Sequence, residues 1–191
     1  MKEILEKAVN EVKVNSEFRT KEIPEIDLYM DQIIGFINDN FADDGDEKEK
    51  ILTKTMIHNY SKEGLIKPVK GKKYSKEQII QMLLIYQLKN TLKISDIKAA
   101  LQEIYSWENY NGNFLAACYD KHMECKSIIV EDSQELLGLL INEGSIDLDK
   151  KEDVFITLLN TAAISYYFKC LSEKMVEQLC ENKEKSDVKI K

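Results

Sequence analysis

The chain has 191 residues, of which 43% are hydrophobic and 32% charged, enough for one domain or two small ones with a packed core. Seven Gly and two Pro are too few for a β-barrel or β-sandwich built on many turns. The amino-terminal residues are charged throughout, and no apolar run approaches the roughly 18–20 residues of a membrane span, so neither a secretory signal nor a span is expected. Four Cys without a disulfide framework fit a reducing compartment. We therefore predict a soluble, cytoplasmic, mostly helical, all-α protein.

Charge is distributed unevenly along the chain. The formal net charge is −7, yet residues 50–104 contain eleven Lys and four acidic residues, a net of +7. The rest of the chain therefore carries −14. A basic middle segment favours contact with an anionic partner such as nucleic acid, whereas the acidic remainder opposes it. The only Arg is Arg19, so anion contacts in the basic segment would come from Lys and polar groups.

The first half of the chain divides at turn-forming residues. For residues 1–20 we predict a polar amino-terminal extension that contains a frayed helix. Apolar residues then recur at helical spacing, which predicts a largely buried helix of about four turns. These residues are Ile26, Met30, Ile33, Ile37 and Phe41. Residues 42–50 are acidic and lack periodicity, which predicts a solvated loop. Their acidic side chains do not have the spacing of the ligands in a calcium-binding loop.

The basic segment predicts two helices joined by a small wing. Thr53 is placed to cap a helix over residues 53–63 that ends at Gly64. Residues 69–74 are short, basic and centred on Gly71, as in a tight hairpin or wing. Ser75 then opens a helix through a capping box with Gln78, and this helix is apolar on nearly every face, so it should be the core helix. A short helix capped by Ser95 follows.

The second half of the chain is helical and more acidic. Residues 106–114 form a polar and aromatic connector, followed by predicted helices at 115–125, from Asp132 or Ser133 to Ile141, and at 152–181. A helix as long and apolar as the last one usually packs against neighbours or a second subunit. The predicted organisation is therefore a domain at 21–105, a dimerisation or effector region at 106–182, and a flexible tail at 183–191.

The helix at 53–63 has one wholly polar face. At about 100° per residue, five side chains share an arc about 140° wide, while Met56, Ile57 and Tyr60 fall on the other side. The polar face consists of Lys54, Thr55, His58, Asn59 and Lys62. These residue types contact phosphates and base edges in DNA complexes. The alternative is a solvated amphipathic helix followed by a Lys-rich loop.

The segment from Met56 to Leu101 resembles the DNA-binding unit of MerR-type transcriptional regulators. The resemblance rests on Tyr60, Lys62, Glu63, Gly64, Leu65, Ile66, Pro68, Tyr74, Ser75, Ile85, Leu88, Ser95 and Ile97. It covers about a quarter of the chain and implies a winged helix-turn-helix fold. It departs at His58 and Asn59, where that family usually has Arg and Tyr, and in a wing that contains Lys but no Arg. Most of residues 20–120 are also similar to a bacterial family named domain of unknown function 1836.

The resemblance implies a set of DNA contacts. A major-groove helix followed by a backbone-clamping wing is a known docking geometry. Base edges would be faced by Lys54, Thr55, His58 and Asn59. Phosphates would be held by Tyr60, Lys62, Lys70, Lys72, Lys73 and Tyr74. The helical second half would join two copies, so that two such helices meet two half-sites of duplex DNA.

Other clusters of reactive residues have simpler interpretations. Cys118, His122 and Cys125 share one helical face and could ligate zinc or copper, but they lack a CxxC motif, and free Cys commonly packs as a small apolar residue. The aromatic residues Tyr105, Trp107 and Tyr110 could form the floor of a ligand pocket or pack between two regions. We therefore predict no metal and no cofactor.

The sequence contains no signature of an enzyme. A Gly-rich phosphate loop, a nucleophile elbow and a His-Glu-x-x-His motif are all missing from the sequence, and the two His lie in different segments. Two hypotheses remain: a homodimeric DNA-binding regulator, or a protein-interaction module that keeps the fold but has lost DNA binding. An acidic patch covering Lys54 and Lys62 would favour the second. The sequence does not identify an operator or a small-molecule effector.

Overall fold

The computed structural model describes residues 18–41, 51–69 and 71–187. The described helices are α1 (Met30–Phe41), α2 (Lys54–Lys62), α3 (Lys76–Leu88), α4 (Ile94–Ser106), α5 (Gly112–Glu143) and α6 (Lys151–Asp187). Two short strands, β1 (Leu28–Tyr29) and β2 (Lys73–Tyr74), and a 3-10 turn at Thr20–Glu22 complete the described elements. A mostly helical, all-α chain is therefore confirmed. The predictions for residues 1–17, for the loop at 42–50, for Lys70 and for residues 188–191 concern positions outside the described residues.

The predicted signals at both ends of α2 and at the start of α3 are confirmed. The Thr53 hydroxyl accepts a hydrogen bond from the Met56 amide at 3.2 Å, so it satisfies one of the free amides of the first turn. Gly64 follows α2 with φ of +70°, a conformation that costs a residue with a Cβ about 1–2 kcal/mol. Ser75 and Gln78 form the expected capping box.

Three predicted helix boundaries are wrong. The first helix begins at Met30 rather than near Ile26, because Leu28–Tyr29 are extended and pair with another strand; Ile26 is 69% exposed. Lys93, not Ser95, precedes α4, and the Ser95 hydroxyl donates to the Asp96 carboxylate. The expected break at Asp132/Ser133 is also wrong, since the Ser133 hydroxyl bonds the Ile129 carbonyl one turn back inside a continuous α5.

The hydrophobic core surrounds α3, as its composition predicts. Its buried residues include Ile79, Ile80, Met82, Leu83 and Ile85. The same core extends to Phe18 before the predicted domain and to Leu115, Tyr119 and Met123 of α5 beyond it. The first half of α5 thus packs as part of the domain, against α3, and the core does not end at residue 105.

The last helix leaves much of its apolar surface exposed. α6 packs against α4, and it continues to Asp187, past the predicted start of the flexible tail at 183. Its exposed side chains include Phe155, Leu158, Leu159, Tyr166 and Tyr167. No membrane span is expected from the sequence, yet one segment, Lys151–Glu181, is long and apolar enough to cross a membrane by length and composition alone. Its most apolar 18 residues have a mean hydropathy of 1.3, and none of them is buried.

Candidate nucleic-acid interface

Helix α2 presents its polar face to solvent. Ile57 is fully buried and Tyr60 is 6% exposed, so the apolar side of the helix is fixed against the core. The five residues of the predicted polar face are all exposed: Lys54, Thr55, His58, Asn59 and Lys62. The structure therefore brings these five side chains together on one accessible surface, which we call the α2 polar face.

One cation of the α2 polar face has an acidic partner. The Lys54 ammonium lies 2.7 Å from the carboxylate of Asp31, at the start of α1, and both side chains are exposed. An exposed pair of this kind contributes about 0–1 kcal/mol, so the ammonium is available to a competing anion. Lys62 forms no ion pair within the described ranges.

The predicted wing is not a hairpin closed on itself. Gly71 has φ of +79° and turns the chain, but the strand that follows it, β2, pairs antiparallel with β1, in the register Leu28 with Tyr74 and Tyr29 with Lys73. Because β1 leads directly into α1, the turn is attached to the amino-terminal side of the domain. Lys72 and Lys73 on this turn are exposed, and we call them the basic tip; Lys70 lies outside the described residues.

Two residues expected to hold phosphates belong instead to the core. Tyr60 and Tyr74 are each 6% exposed and pack in the same hydrophobic cluster as Ile57. Burial raises the pKa of the Tyr60 hydroxyl above its ordinary value, so this group stays neutral. Little of either ring is therefore accessible, and in this structure both rings support the surface formed by α2 and β2.

Two buried glutamines of α3 hold the backbone that joins α2 to the basic tip. The Gln81 side-chain carbonyl accepts a hydrogen bond from the Lys67 amide at 2.9 Å. The Gln78 amide group donates to the carbonyls of Lys67 and Pro68, both at 3.1 Å, while its oxygen accepts from the Ser75 amide at 2.8 Å. Sequence reasoning assigned Gln78 only to the capping box and missed Gln81, although both interrupt an otherwise apolar helix.

Lys67 is directed inward rather than toward a ligand. Its ammonium lies 3.0 Å from the Glu77 carboxylate and 3.9 Å from the centre of the Tyr110 ring. The Tyr110 hydroxyl donates to Glu77, and the Tyr105 hydroxyl donates to the Leu65 carbonyl at 3.2 Å. Burial is the main reason why the pKa values of Tyr105 and Tyr110 are raised. The aromatic connector therefore packs onto the segment after α2.

An open groove of about 710 Å³ lies between the end of α2 and α4. Its lining includes His58 and Ser61 from α2 and Gln102 and Tyr105 from α4. Tyr105 thus contributes both to packing and to a concave surface, so the two interpretations of the aromatic cluster are not exclusive. Trp107, in contrast, is 40% exposed and packs edge-on against Phe114.

Cys118, His122 and Cys125 share one face of α5, as predicted, beside a shallow and open concavity. Among the residues the structure describes, no group of three or more His, Cys, Asp and Glu side chains is arranged to hold a metal ion. Burial and the nearby Lys126 ammonium lower the pKa of His122. The His122 imidazole therefore stays neutral at neutral pH, half-buried on α5.

Residues 18–122 match the family model described as domain of unknown function (DUF1836). The match covers more than half of the chain. The chain belongs to the DUF1836 family. No curated protein matches the chain, and no solved structure matches it. The DUF1836 segment contains the α2 polar face, the basic tip and the core around α3, whereas the second half of α5 and all of α6 lie beyond it.

Proposed function

We propose that this protein is a cytoplasmic, homodimeric DNA-binding transcriptional regulator with a winged helix-turn-helix of the MerR type. The observation that carries the proposal is the α2 polar face, five exposed polar side chains on a helix whose opposite side is anchored in the core. The basic tip follows α2 in the chain and is attached to the same core through β1. A helix and a basic loop fixed to one rigid unit can contact a groove and its flanking backbone together.

The proposed contacts follow from exposure. Base edges are faced by Lys54, Thr55, His58 and Asn59, which supply donors and acceptors on one helix side. Phosphates are held by Lys62, Lys72 and Lys73, together with Lys70. Tyr60 and Tyr74 support this surface from below. Since these Lys residues are point charges, affinity comes mainly from phosphate contacts, and strong salt dependence is expected.

Binding of the purified chain to mixed-sequence duplex DNA, titrated against salt, tests the proposal. Each phosphate contact contributes about 0.9 to the slope of log K against log salt. We expect Lys54→Ala/Lys62→Ala to lower the affinity and to reduce this slope by about one, since Lys62 is the one of the two that holds a phosphate. The matched control is Lys121→Ala/Lys150→Ala, which removes two equally exposed lysines, each in an exposed ion pair as Lys54 is.

The two double variants have the same net charge, so they separate contact from overall electrostatics. Equal losses in both variants would show that only net charge matters and would remove α2 from the interface. No binding by the wild-type chain at low salt would reject the proposal. A reduced slope in the α2 variant alone supports it.

A protein-interaction module is the second candidate function. The Lys54–Asp31 ion pair favours it, because it partly neutralises the α2 polar face, and the acidic remainder of the chain opposes DNA. Asp31→Ala separates the two functions. In a DNA-binding protein this variant should gain affinity for duplex DNA, since a competing carboxylate is removed. In a protein-interaction module the variant leaves DNA binding undetectable.

A further inference from the structure

Helix α6 carries an apolar stripe that the described residues leave uncovered. No Asp, Glu, Lys or Arg occurs between Asp153 and Lys169. Within this stretch the partly buried positions include Thr157, Thr161 and Ile164, which share one side of the helix. The opposite side consists of Phe155, Leu159, Ala162 and Tyr166, all exposed and spaced by four, three and four residues. That spacing is typical of a helix that pairs with another helix.

We propose that the apolar stripe of α6 binds the same stripe of a second copy of this chain, in antiparallel orientation, with the two-fold axis beside Ala162. Ala162 and its neighbour Ala163 are small and exposed, so two helix backbones can approach closely at the centre. Larger side chains, Phe155 and Tyr166, lie toward the two ends of the stripe. A symmetric contact of this kind is self-complementary and closes as a dimer.

The charges that bound the stripe select the antiparallel orientation. Lys151 and Glu173 are equally distant from Ala162 in sequence, and both lie within about 60° of the centre of the stripe on the helix wheel. Antiparallel pairing about Ala162 therefore places the Lys151 of each copy at the level of the partner's Glu173. Parallel pairing would place Lys151 beside Lys151 and Glu173 beside Glu173, which is unfavourable.

Exposed apolar area on and beside the stripe is available to a partner helix. The side chains of Phe155, Tyr166 and Tyr167 are 59%, 68% and 64% exposed. Aromatic residues each bury about 150–250 Å², so these three leave roughly 300–450 Å² open. Ile156, Leu158 and Leu159 add to this from the same helix, being 45–60% exposed. Because Ile156 and Tyr167 lie about 90–110° from the centre of the stripe on the helix wheel, a contact along the stripe buries only part of this area and is smaller than the roughly 800 Å² of a standard interface.

The same stripe fits a membrane less well. The charge-free stretch has fifteen residues, or about 22 Å of helix at 1.5 Å per residue, against a hydrocarbon thickness of about 30 Å. It also contains Asn160, which is partly buried. A polar amide and Lys169 near the end of the span would both enter the hydrocarbon. A second protein chain can cover the stripe without placing either group in hydrocarbon.

This dimer would supply the two-fold symmetry of the proposed regulator, and its biological role rests on that proposed function. Dimer formation itself is measured without DNA. We expect sedimentation of the full chain to give twice the mass of one chain at micromolar concentration. Leu159→Glu should weaken the dimer by about a hundredfold or more, because each copy would bury an unpaired charge. The matched control is Leu139→Glu on α5, since Leu139 and Leu159 are 55% and 53% exposed.

A charge-reversal cycle tests the orientation. Lys151→Glu alone should weaken the dimer by about fivefold to tenfold, since it repels the partner's Glu173 at two symmetric places. Lys151→Glu/Glu173→Lys should restore the wild-type dissociation constant to within about threefold. If the double variant dimerises no more tightly than Lys151→Glu alone, the antiparallel register is overturned. A chain that stays monomeric in solution, or that floats with phosphatidylcholine vesicles as a monomer, overturns the pairing itself, whatever the DNA titration shows.

Discussion

Removing the side-chain hydrogen bonds of Gln78 should destabilise the fold and release the basic tip. Gln78→Met keeps the length and helix propensity of the residue but removes its donor and acceptor. It leaves the Ser75 amide and the carbonyls of Lys67 and Pro68 without this partner. Each lost hydrogen bond costs about 0.5–1.5 kcal/mol, and the exposed Pro68 carbonyl regains water. The expected loss is therefore about 2–3 kcal/mol in the free energy of unfolding.

Urea unfolding followed by circular dichroism measures this loss, and the melting temperature should fall by about 4–12 °C for a chain of this size. Gln78→Glu is the informative second variant. Its carboxyl still accepts from the Ser75 amide but faces two carbonyl oxygens, so its pKa is raised in the folded state above about 4.3. The folded state then binds more protons than the unfolded state between the two pKa values, and stability falls as pH rises through that window. A loss under about 1 kcal/mol for Gln78→Met, or a pH-independent Gln78→Glu variant, would refute the reasoning.

Three further outcomes are expected. Gly64→Ala should lower the free energy of unfolding by about 1 kcal/mol, because φ at this position is +70°. Gly138→Ala should raise it by about 0.5–1 kcal/mol, since Gly138 lies inside α5 with open space around the new Cβ. The midpoints of urea unfolding should therefore shift in opposite directions. Asp120→Ala should lower stability by about 2–3 kcal/mol in the same assay, since its carboxylate accepts from both the amide and the hydroxyl of Thr20 at 2.8 and 2.6 Å. Stability should decline as pH falls below about 6.5, because the pKa of His122 is lowered in the folded state and the unfolded state therefore takes up the proton first. His122→Gln should make the melting temperature less dependent on pH in this range.

The features that the sequence predicts well are those that depend on residues within one helical turn. The Thr53 cap, the left-handed Gly64 and the Ser75–Gln78 box are all of this kind, and so is the α2 polar face. A local signal can also mislead when one side chain has two possible partners. Ser133 resembles a helix cap, yet its hydroxyl bonds the preceding turn of a helix that continues.

Contacts between distant segments account for the remaining differences. Nothing near Leu28 in the sequence indicates a strand, because its partner is Tyr74. Helical spacing already places Tyr60 on the apolar side of α2, but the burial of Tyr74 depends on distant contacts: an aromatic residue beside lysines fits both a phosphate contact and a core, and only the packed fold distinguishes them. The inward direction of Lys67 depends likewise on Glu77 and Tyr110.

The pairing of β1 with β2 has a consequence for how the domain assembles. The paired residues Leu28 and Tyr74 are 46 positions apart, and closing a loop of that length costs about 3 kcal/mol in chain entropy. Two residues of strand pairing do not offset this cost alone, so the ladder forms only after α1, α2 and α3 have brought its two halves together. The basic tip is therefore set in place by the packing of the whole domain and not by its own turn.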